Sequence, residues 1–241
     1  MTITPDEFAN GLFSLIYVFI AALIGLIIAS KYFKYKQRIL LLMGFTWIFI
    51  GCPWWPSSTS FLLAIITGKG LSFEIYVIIG NCTVPIFLML LTASMTELIF
   101  KKERIILLLI AAIYGILIEI YIFYSLNTNP DSLGTLNGIV DIEYKGILRY
   151  YLVSIIIIIL ISGILIGRQS IRSEKPEIKL KGKFLLIAFI LWVVGAFADA
   201  VLPLTVITLP IIRIILILSS GLFYFGFILP KFLRRIILHE K

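Results

Sequence analysis

The sequence predicts an all-α fold, a polytopic membrane bundle of seven transmembrane helices in which residues 1–241 form a single domain. Two features indicate this class. The chain is 61% hydrophobic and 14% charged, whereas a soluble domain has about 25% charged residues. Its mean hydropathy is +1.09, and seven apolar segments approach or exceed the roughly 20 residues that a helix needs to cross a hydrocarbon core of about 30 Å.

The predicted spans follow from the apolar segments between the polar connections. In chain order they are Phe8–Ser30, Ile39–Thr67, Leu71–Phe100, Ile105–Leu126, Tyr151–Gly167, Phe184–Ile207 and Leu209–Leu229. The second and third spans are longer than a straight helix needs. We expect the second to bend at Pro53 or Pro56 and the third at Pro85, because proline removes a backbone hydrogen bond and clashes with the preceding turn.

The basic residues predict the orientation of the bundle. Of the 21 lysines and arginines, Lys69, Lys145 and Arg149 lie in the connections on one side, and Arg213 lies within the seventh span. All the others lie on the opposite side, and basic flanks are retained in the cytoplasm. The sequence therefore predicts an amino terminus outside, a cytoplasmic carboxyl terminus and a multi-pass protein of the cell membrane. Because the basic residues are spread over turns beside the lipid bilayer, we expect contact with anionic headgroups and no nucleic-acid partner.

The residue inventory argues against several kinds of chemistry. The only histidine is His239, in the predicted tail, so no span can supply a histidine cluster for zinc or haem, or a serine–histidine dyad. Cys52 and Cys82 both fall within spans, where we expect free thiols. Asp199 is the only aspartate within a span, so a paired-aspartate protease site is excluded. We therefore expect no enzyme, no cofactor and no metal.

Small residues spaced four apart predict close packing between helices of the bundle. In lipid, helix association depends on such close approach because no hydrophobic force acts between the helices. The residues concerned are Ala21, Gly25 and Ala29 in the first span, Ala111 or Ala112 and Gly115 in the fourth, and Gly163 and Gly167 in the fifth.

An internal similarity relates the second and sixth spans. The segment R-I-L-L-L-M-G-F-T-W-I-F-I-G ends at Gly51, and the segment G-K-F-L-L-I-A-F-I-L-W-V-V-G ends at Gly195. The two spans run in the same direction, which fits a 3+1+3 parallel repeat in which helices 1–3 match helices 5–7 around a central fourth helix. The alternative is chance similarity, because both segments are rich in isoleucine and leucine.

Three charged residues lie well inside predicted spans, more than three residues from either end: Glu119, Asp199 and Arg213. A charge at the bilayer centre costs about 2.5 to 3.5 kcal/mol on insertion scales, so such residues pair or line a polar cavity. At 1.5 Å per residue, Asp199 and Glu119 lie about 22 Å and about 21 Å above the cytoplasmic starts of their helices, and Arg213 about 6 Å below the outer end of its own. All three are therefore expected in the outer third of the membrane, where they can share one site.

Helical spacing and depth add five residues to the candidate ligand-binding site. These are Asn81, Trp54, Trp55, Trp192 and Tyr224. One interpretation is a pocket open to the outside for a small polar or cationic ligand, since two carboxylates and one guanidinium leave a net negative charge. The alternative is an Asp199–Arg213 ion pair that joins two helices, with Glu119 protonated or bonded to the backbone and the tryptophans in an interfacial aromatic belt.

The long outer connection Asn127–Arg149 contains the alternating run I-V-D-I-E-Y-K. Such alternation is typical of a short hairpin, which here would cap the helix ends. An ordinary flexible loop is the alternative.

Two segments of the chain carry a family resemblance. One is G-N-C-T-V-P-I-F-L, from Gly80 to Leu88, followed by a tight basic turn, and the other is F-Y-F-G-F-I-L-P-K-F-L, from Phe223 to Leu233. Both are similar to the seven-helix membrane sensor regions at the amino terminus of some histidine kinases. About a dozen residues follow Leu229, so we expect no kinase domain here. The resemblance then implies a sensory fold that signals through a separate partner.

Two main functional hypotheses follow. The first is a receptor-like sensor that binds a small-molecule ligand in the outer pocket and contacts a cytoplasmic signalling partner through its basic turns. The second is a small transporter of 3+1+3 architecture, with Glu119 or Asp199 as its coupling proton site. A structural membrane subunit without a ligand is a third reading, because the charges can simply pair.

Overall fold

The structure is a computed structural model that describes residues 3–238, so His239 lies outside the described residues. The fold is 81% helical, which confirms the all-α class. The helices are α1 (Pro5–Tyr35), α2 (Arg38–Phe49), α3 (Trp55–Thr67), α4 (Phe73–Asn81), α5 (Val84–Leu98), α6 (Arg104–Thr128), α7 (Gly146–Ile171), α8 (Pro176–Val201), α9 (Thr208–Phe227) and α10 (Lys231–Leu238), and the strands are β1 (Gly134–Asn137) and β2 (Asp141–Tyr144).

Within residues 3–238, seven helical segments are long and apolar enough to cross a membrane, as predicted. They are α1, α2 with α3, α4 with α5, and then α6, α7, α8 and α9 singly. The start of α1, the β1–β2 hairpin and the α8–α9 connection meet at one end of the bundle. There, Ile139 N donates to Glu7 Oε1 at 3.0 Å, and Val206 N donates to Asp6 Oδ1 at 2.8 Å. We call this the amino-terminal end.

The sixth predicted span, Phe184–Ile207, is wrong at both ends. The helix α8 stops earlier because Leu202 precedes Pro203 and is extended, with φ −86° and ψ 147°. It also starts earlier because its polar first turns are helical too, supported by a Lys181 Nζ to Glu177 Oε1 ion pair of 2.8 Å at i,i+4 spacing. The apolar run alone therefore misplaced this helix, whereas the other six spans agree to within five residues at each end.

The two long spans are interrupted near the predicted prolines. Between α2 and α3 the chain forms a 3₁₀ turn over Cys52–Trp54, which contains Pro53, and Pro56 lies in the first turn of α3. Between α4 and α5 the chain leaves the α-helix at residues 82–83, with Pro85 in the first turn of α5. Both breaks lie beside the cavity described below, so they shape its wall.

Glycine allows the close helix contacts that the small-residue spacing predicts. A Cβ atom on Gly25 would lie 2.5 Å from the carbonyl oxygen of Gly44, so α1 and α2 touch through their backbones. A Cβ atom on Gly167 would lie 2.8 Å from Leu186 of α8, and one on Gly115 would lie 2.8 Å from a proline of α5. The small residues thus serve packing within the bundle.

The outer connection forms the predicted hairpin. Strands β1 and β2 pair antiparallel from Gly134↔Tyr144 to Asn137↔Asp141, and Gly138 at the turn has φ +70°, a conformation that favours glycine. Leu133 and Val140 are fully buried. The connection is therefore a packed cap rather than a flexible loop.

The tip of the hairpin is held by three helices. Glu7 of α1 accepts from the backbone of Ile139, Ser60 of α3 donates to the carbonyl of Ile139, and Tyr76 of α4 donates to the carbonyl of Val140 at 2.9 Å. These bonds satisfy backbone groups that would otherwise be buried without partners. They fix the cap over the ends of the helices.

Candidate functional site

A cavity of about 160 Å³ lies beneath the hairpin at the amino-terminal end of the bundle. Its walls come from α2 to α5, α7, α8, α9 and β2. A water molecule takes up about 30 Å³ in the liquid, and an engineered cavity of about 150 Å³ binds benzene. This space, which we call the capped cavity, therefore has room for several waters or one small organic molecule.

The capped cavity reaches the surface beside the end of α8. Ala200 lines it and is exposed, and the Asp199 side chain keeps 18% of its accessible surface. The capped cavity therefore opens beside the last turn of α8, at the amino-terminal end of the bundle.

A buried ion pair forms one side of the cavity. Arg213 is 1% exposed and pairs through Nη1 with Asp199 Oδ1, while its Nη2 donates to Asn10 Oδ1 at 3.2 Å. Trp54 Nε1 donates to Asp199 Oδ2 at 2.9 Å, and the Arg213 guanidinium lies 5.4 Å from the centroid of the Trp54 ring. Arg213 Nε has no hydrogen-bond partner among residues 3–238. The ion pair and the pocket, considered above as alternatives, thus occur together.

Two tryptophans form an aromatic wall beside this pair. Trp54 and Trp192 are both buried, and their rings meet edge to face at 5.9 Å between centroids. Trp192 Nε1 donates to the hydroxyl of Tyr17 at 2.8 Å, and the Tyr17 ring packs on Trp54 at 5.0 Å. These two tryptophans are therefore part of the bundle interior, and the aromatic-belt interpretation is wrong for them.

The hairpin contributes a third charge and a hydroxyl to the cavity. Asp141 and Tyr144 of β2 line it together with Tyr76 of α4. Burial raises the pKa of the Asp141 carboxyl, and the negative charge of Asp199 adds to the effect. Tyr144 accepts a hydrogen bond from Asn81 Nδ2 at 3.0 Å, so Asn81 supports the cavity from behind Tyr144.

Three predicted site residues lie elsewhere. Trp55 packs on Phe49 at 5.3 Å and does not line the cavity. Tyr224 shares a helix face with Arg213 but lies about 16 Å further along α9. Glu119 has the expected depth but lies in a separate groove between α5 and α6. Equal depth does not bring Glu119 to the capped cavity. The face of α6 that packs on the bundle is the one that carries Gly115, Ile118 and Ile122, and Glu119 lies beside that face.

Several residues of the site were not predicted. Asp141, Tyr144 and Tyr76 reach the cavity only because the hairpin folds over the helix ends. The polar stripe of Asn10 and Tyr17 was a usable signal, since these residues recur at helical spacing in an otherwise apolar span.

The polar groups of the capped cavity are few. Its three charged residues carry a net charge of −1 when both aspartates are ionised, and its other polar groups are hydroxyls, indoles and the Cys52 thiol. Within residues 3–238, no group of three or more histidine, cysteine or acidic residues is placed to hold a metal ion. Comparisons of the chain with protein-family models, curated proteins and solved structures found no match.

Proposed function

We propose that this protein is a receptor-like membrane sensor that binds a small organic cation in the capped cavity and acts through a separate cytoplasmic partner. The observation that carries the proposal is Asp141, a partly buried carboxyl group on the cavity wall that has no ion-pair partner among the described residues. A bound cation would supply the missing counter-charge.

The charge balance supports a cationic ligand. Asp199 is neutralised by Arg213, so the charge that remains in the cavity is that of Asp141. A buried carboxylate without a counter-ion is costly, and the group either takes up a proton or gains a cation. A ligand with an ammonium group is therefore expected to bind in this cavity more tightly than a neutral ligand of the same size, because it supplies a counter-charge for Asp141.

The aromatic lining supports the same class of ligand. The rings of Trp54, Trp192, Tyr76, Tyr144 and Phe87 border the cavity. A cation over such a ring gains about 0.5 to 2 kcal/mol, the larger value when water is excluded. The volume of about 160 Å³ limits the ligand to about the size of a benzene ring with a short substituent.

The side of access and the floor of the cavity favour sensing over transport. Given the orientation predicted from the basic residues, the amino-terminal end faces outside. One turn below the cavity, Trp47 stacks on Phe223 at 3.6 Å and meets Phe189 edge to face at 6.0 Å, and all three are fully buried. This closed aromatic layer supports a binding site that ends within the membrane. The predicted 3+1+3 repeat does not enter the proposal.

The test uses the full chain in lipid nanodiscs and two probes of similar shape. We expect benzylammonium to change the tryptophan fluorescence saturably, and the neutral benzyl alcohol to bind at least about tenfold more weakly, a difference of about 1.4 kcal/mol. Asp141→Asn is expected to abolish this preference, whereas Asp131→Asn, an exposed residue of the same connection, leaves it unchanged.

Two results would overturn the proposal. Equal binding of both probes would show that the cavity does not select for positive charge. Proton-dependent uptake of benzylammonium into liposomes that contain the protein would show a transporter instead. Binding without flux supports the sensor.

A further inference from the structure

A second feature, independent of the capped cavity, is an open apolar groove on the lipid-facing side of α5 and α6. It has a volume of about 700 Å³ and is bordered by Pro85, Ile86 and Met89 of α5 and by Ala112, Ile116 and other residues of α6. Of the most apolar stretch of α6, 22% is buried, against 33–56% in the other six spans. The helix α6 is therefore the least covered of the seven.

Glu119 is the charged residue of this groove. It is half-buried and has no hydrogen bond or ion pair within residues 3–238. The other residues that line the groove are apolar. Ionisable groups within a membrane pair with one another or face a polar cavity. This carboxyl group does neither within residues 3–238, so a basic group on another molecule is a suitable partner for it.

The depth of Glu119 argues against a lipid headgroup as that partner. The carboxyl-bearing residue lies nine positions before Thr128, the end of α6, or about 13 Å along the helix. Since α6 is about 37 Å long and the hydrocarbon core about 30 Å thick, Glu119 is about 10 Å below the outer edge of the core. Headgroup amines stay outside the core, whereas a basic side chain on a crossing helix can be placed at this depth.

A second copy of this chain cannot supply the basic group. In the half of the bundle that holds Glu119, the lysines and arginines of the described spans are Arg149, three residues after the start of α7, and Arg213, which is buried and paired with Asp199. The partner must therefore be a different chain.

We propose that the groove between α5 and α6 binds a transmembrane helix of another protein that carries a lysine or arginine near its middle, paired with Glu119. The exposed apolar wall provides the packing surface, and the charge fixes the depth of the partner helix. This site would allow a membrane partner to associate independently of the ligand cavity.

The test measures energy transfer in phosphatidylcholine vesicles between the labelled full chain and a synthetic transmembrane peptide of leucine and alanine with one central lysine. We expect association with this peptide, and association about tenfold weaker with the same peptide carrying a central leucine. Glu119→Gln is expected to weaken binding of the lysine peptide to the same extent, whereas Glu103→Gln, an exposed residue before α6, has no effect.

Two further measurements locate the contact and keep the test decisive. Glu119→Lys is expected to reverse the preference, so that a peptide with a central glutamate binds best. A photoreactive residue at Ile116 is expected to cross-link to the lysine peptide, whereas one at Leu117 does not, although both side chains are 59% exposed.

The contrary outcomes are equally clear. Equal binding of the lysine and leucine peptides, or binding unaffected by Glu119→Gln, would overturn the proposal. Self-association that depends on Glu119 would assign the groove to a second copy of the chain. Occupancy that requires phosphatidylethanolamine in the vesicles would assign it to lipid.

Discussion

Replacing Asp199 by asparagine isolates the electrostatic role of its pair with Arg213. Asparagine has nearly the same shape and keeps an oxygen that can accept the hydrogen bond from Trp54 Nε1, which is 2.9 Å long in the native chain. The substitution therefore removes the negative charge and the oxygen that accepts from Arg213 Nη1, because the amide NH2 group takes the place of Oδ1. It leaves a guanidinium that is 1% exposed without its counter-ion.

The contacts that remain set the size of the effect. Removing one partner of a buried ion pair costs about 3 to 5 kcal/mol. Arg213 keeps its bond to Asn10 at 3.2 Å and its position over the Trp54 ring, the latter worth about 0.5 to 2 kcal/mol. Because the Asp199 side chain is also 18% exposed, water can compensate part of the loss. We expect the free energy of unfolding to fall by about 3 kcal/mol, the lower end of the range.

A double variant separates the charge effect from a loss of packing. Asp199→Asn combined with Arg213→Gln leaves no unpaired charge, so we expect it to be at least about 1 kcal/mol more stable than Asp199→Asn alone. The control is Glu174→Gln, at an exposed position between α7 and α8, with an expected change below about 0.5 kcal/mol.

Unfolding by sodium dodecyl sulfate in mixed micelles, followed by tryptophan fluorescence, measures these differences because Trp54 and Trp192 lie beside the pair. A loss below about 1 kcal/mol for Asp199→Asn would refute the assignment of a buried, energetically important charge pair. A double variant as unstable as the sum of the single variants would refute the coupling between the two residues.

The same unfolding assay tests three further predictions. Gly25→Ala is expected to destabilise the bundle by about 1 to 3 kcal/mol, because its Cβ would lie 2.5 Å from Gly44 O. Tyr76→Phe should cost about 1 to 3 kcal/mol, since it leaves the buried carbonyl of Val140 without its donor. Burial raises the pKa of Asp141, so the folded state binds a proton more tightly than the unfolded state. The free energy of unfolding should therefore fall as the pH rises through the raised pKa, and Asp141→Asn should abolish this fall.

Each of these has a matched control in the chain. Gly221→Ala introduces a Cβ with no atom within 4 Å, Tyr150→Phe changes a side chain that is 76% exposed, and Asp131→Asn changes an exposed carboxylate of the outer connection. We expect these three to leave stability and its pH dependence as in the native chain. A control as destabilising as its partner, or a pH dependence that survives Asp141→Asn, would contradict the structural explanation.

The number and approximate limits of the helices could be predicted because apolar length is a local property of the sequence. The interruptions at Pro53 and Pro85 were also local, since proline lacks the backbone N–H that a helix needs. The end of α8 was misplaced because the apolar run continues through Pro203, which the hydrophobic pattern does not register. A stronger weight on the proline rule would have placed that end correctly.

The candidate site was predictable in depth but not in direction. Asp199 and Arg213 were found because each is a charge within an apolar span. Helical spacing and depth added Trp54 and Trp192, and the four residues do meet. Glu119 lies at a similar level yet faces another way, because the rotation of a helix about its own axis is set by the helices on which it packs. No local pattern contains that information.

The hairpin shows the same limit for long-range contacts. Its strands could be predicted from the alternation of residues, but the position of Asp141 in the cavity depends on where the hairpin tip is anchored. Ser60 and Tyr76, which hold the tip, are far from it in sequence. Such contacts are fixed by the whole fold.

The electrostatic surroundings of three carboxyl groups distinguish a structural role from a binding role. Asp199 is paired with Arg213, so neutralising it is expected to lower stability. Asp141 and Glu119 have no ion-pair partner among the described residues and lie in an open cavity and an open groove. An unpaired carboxylate in an apolar environment lowers stability, so its amide should stabilise the isolated chain while weakening binding. The paired carboxylate of Asp199 is expected to show the opposite sign, because its replacement by an amide leaves Arg213 without its counter-ion.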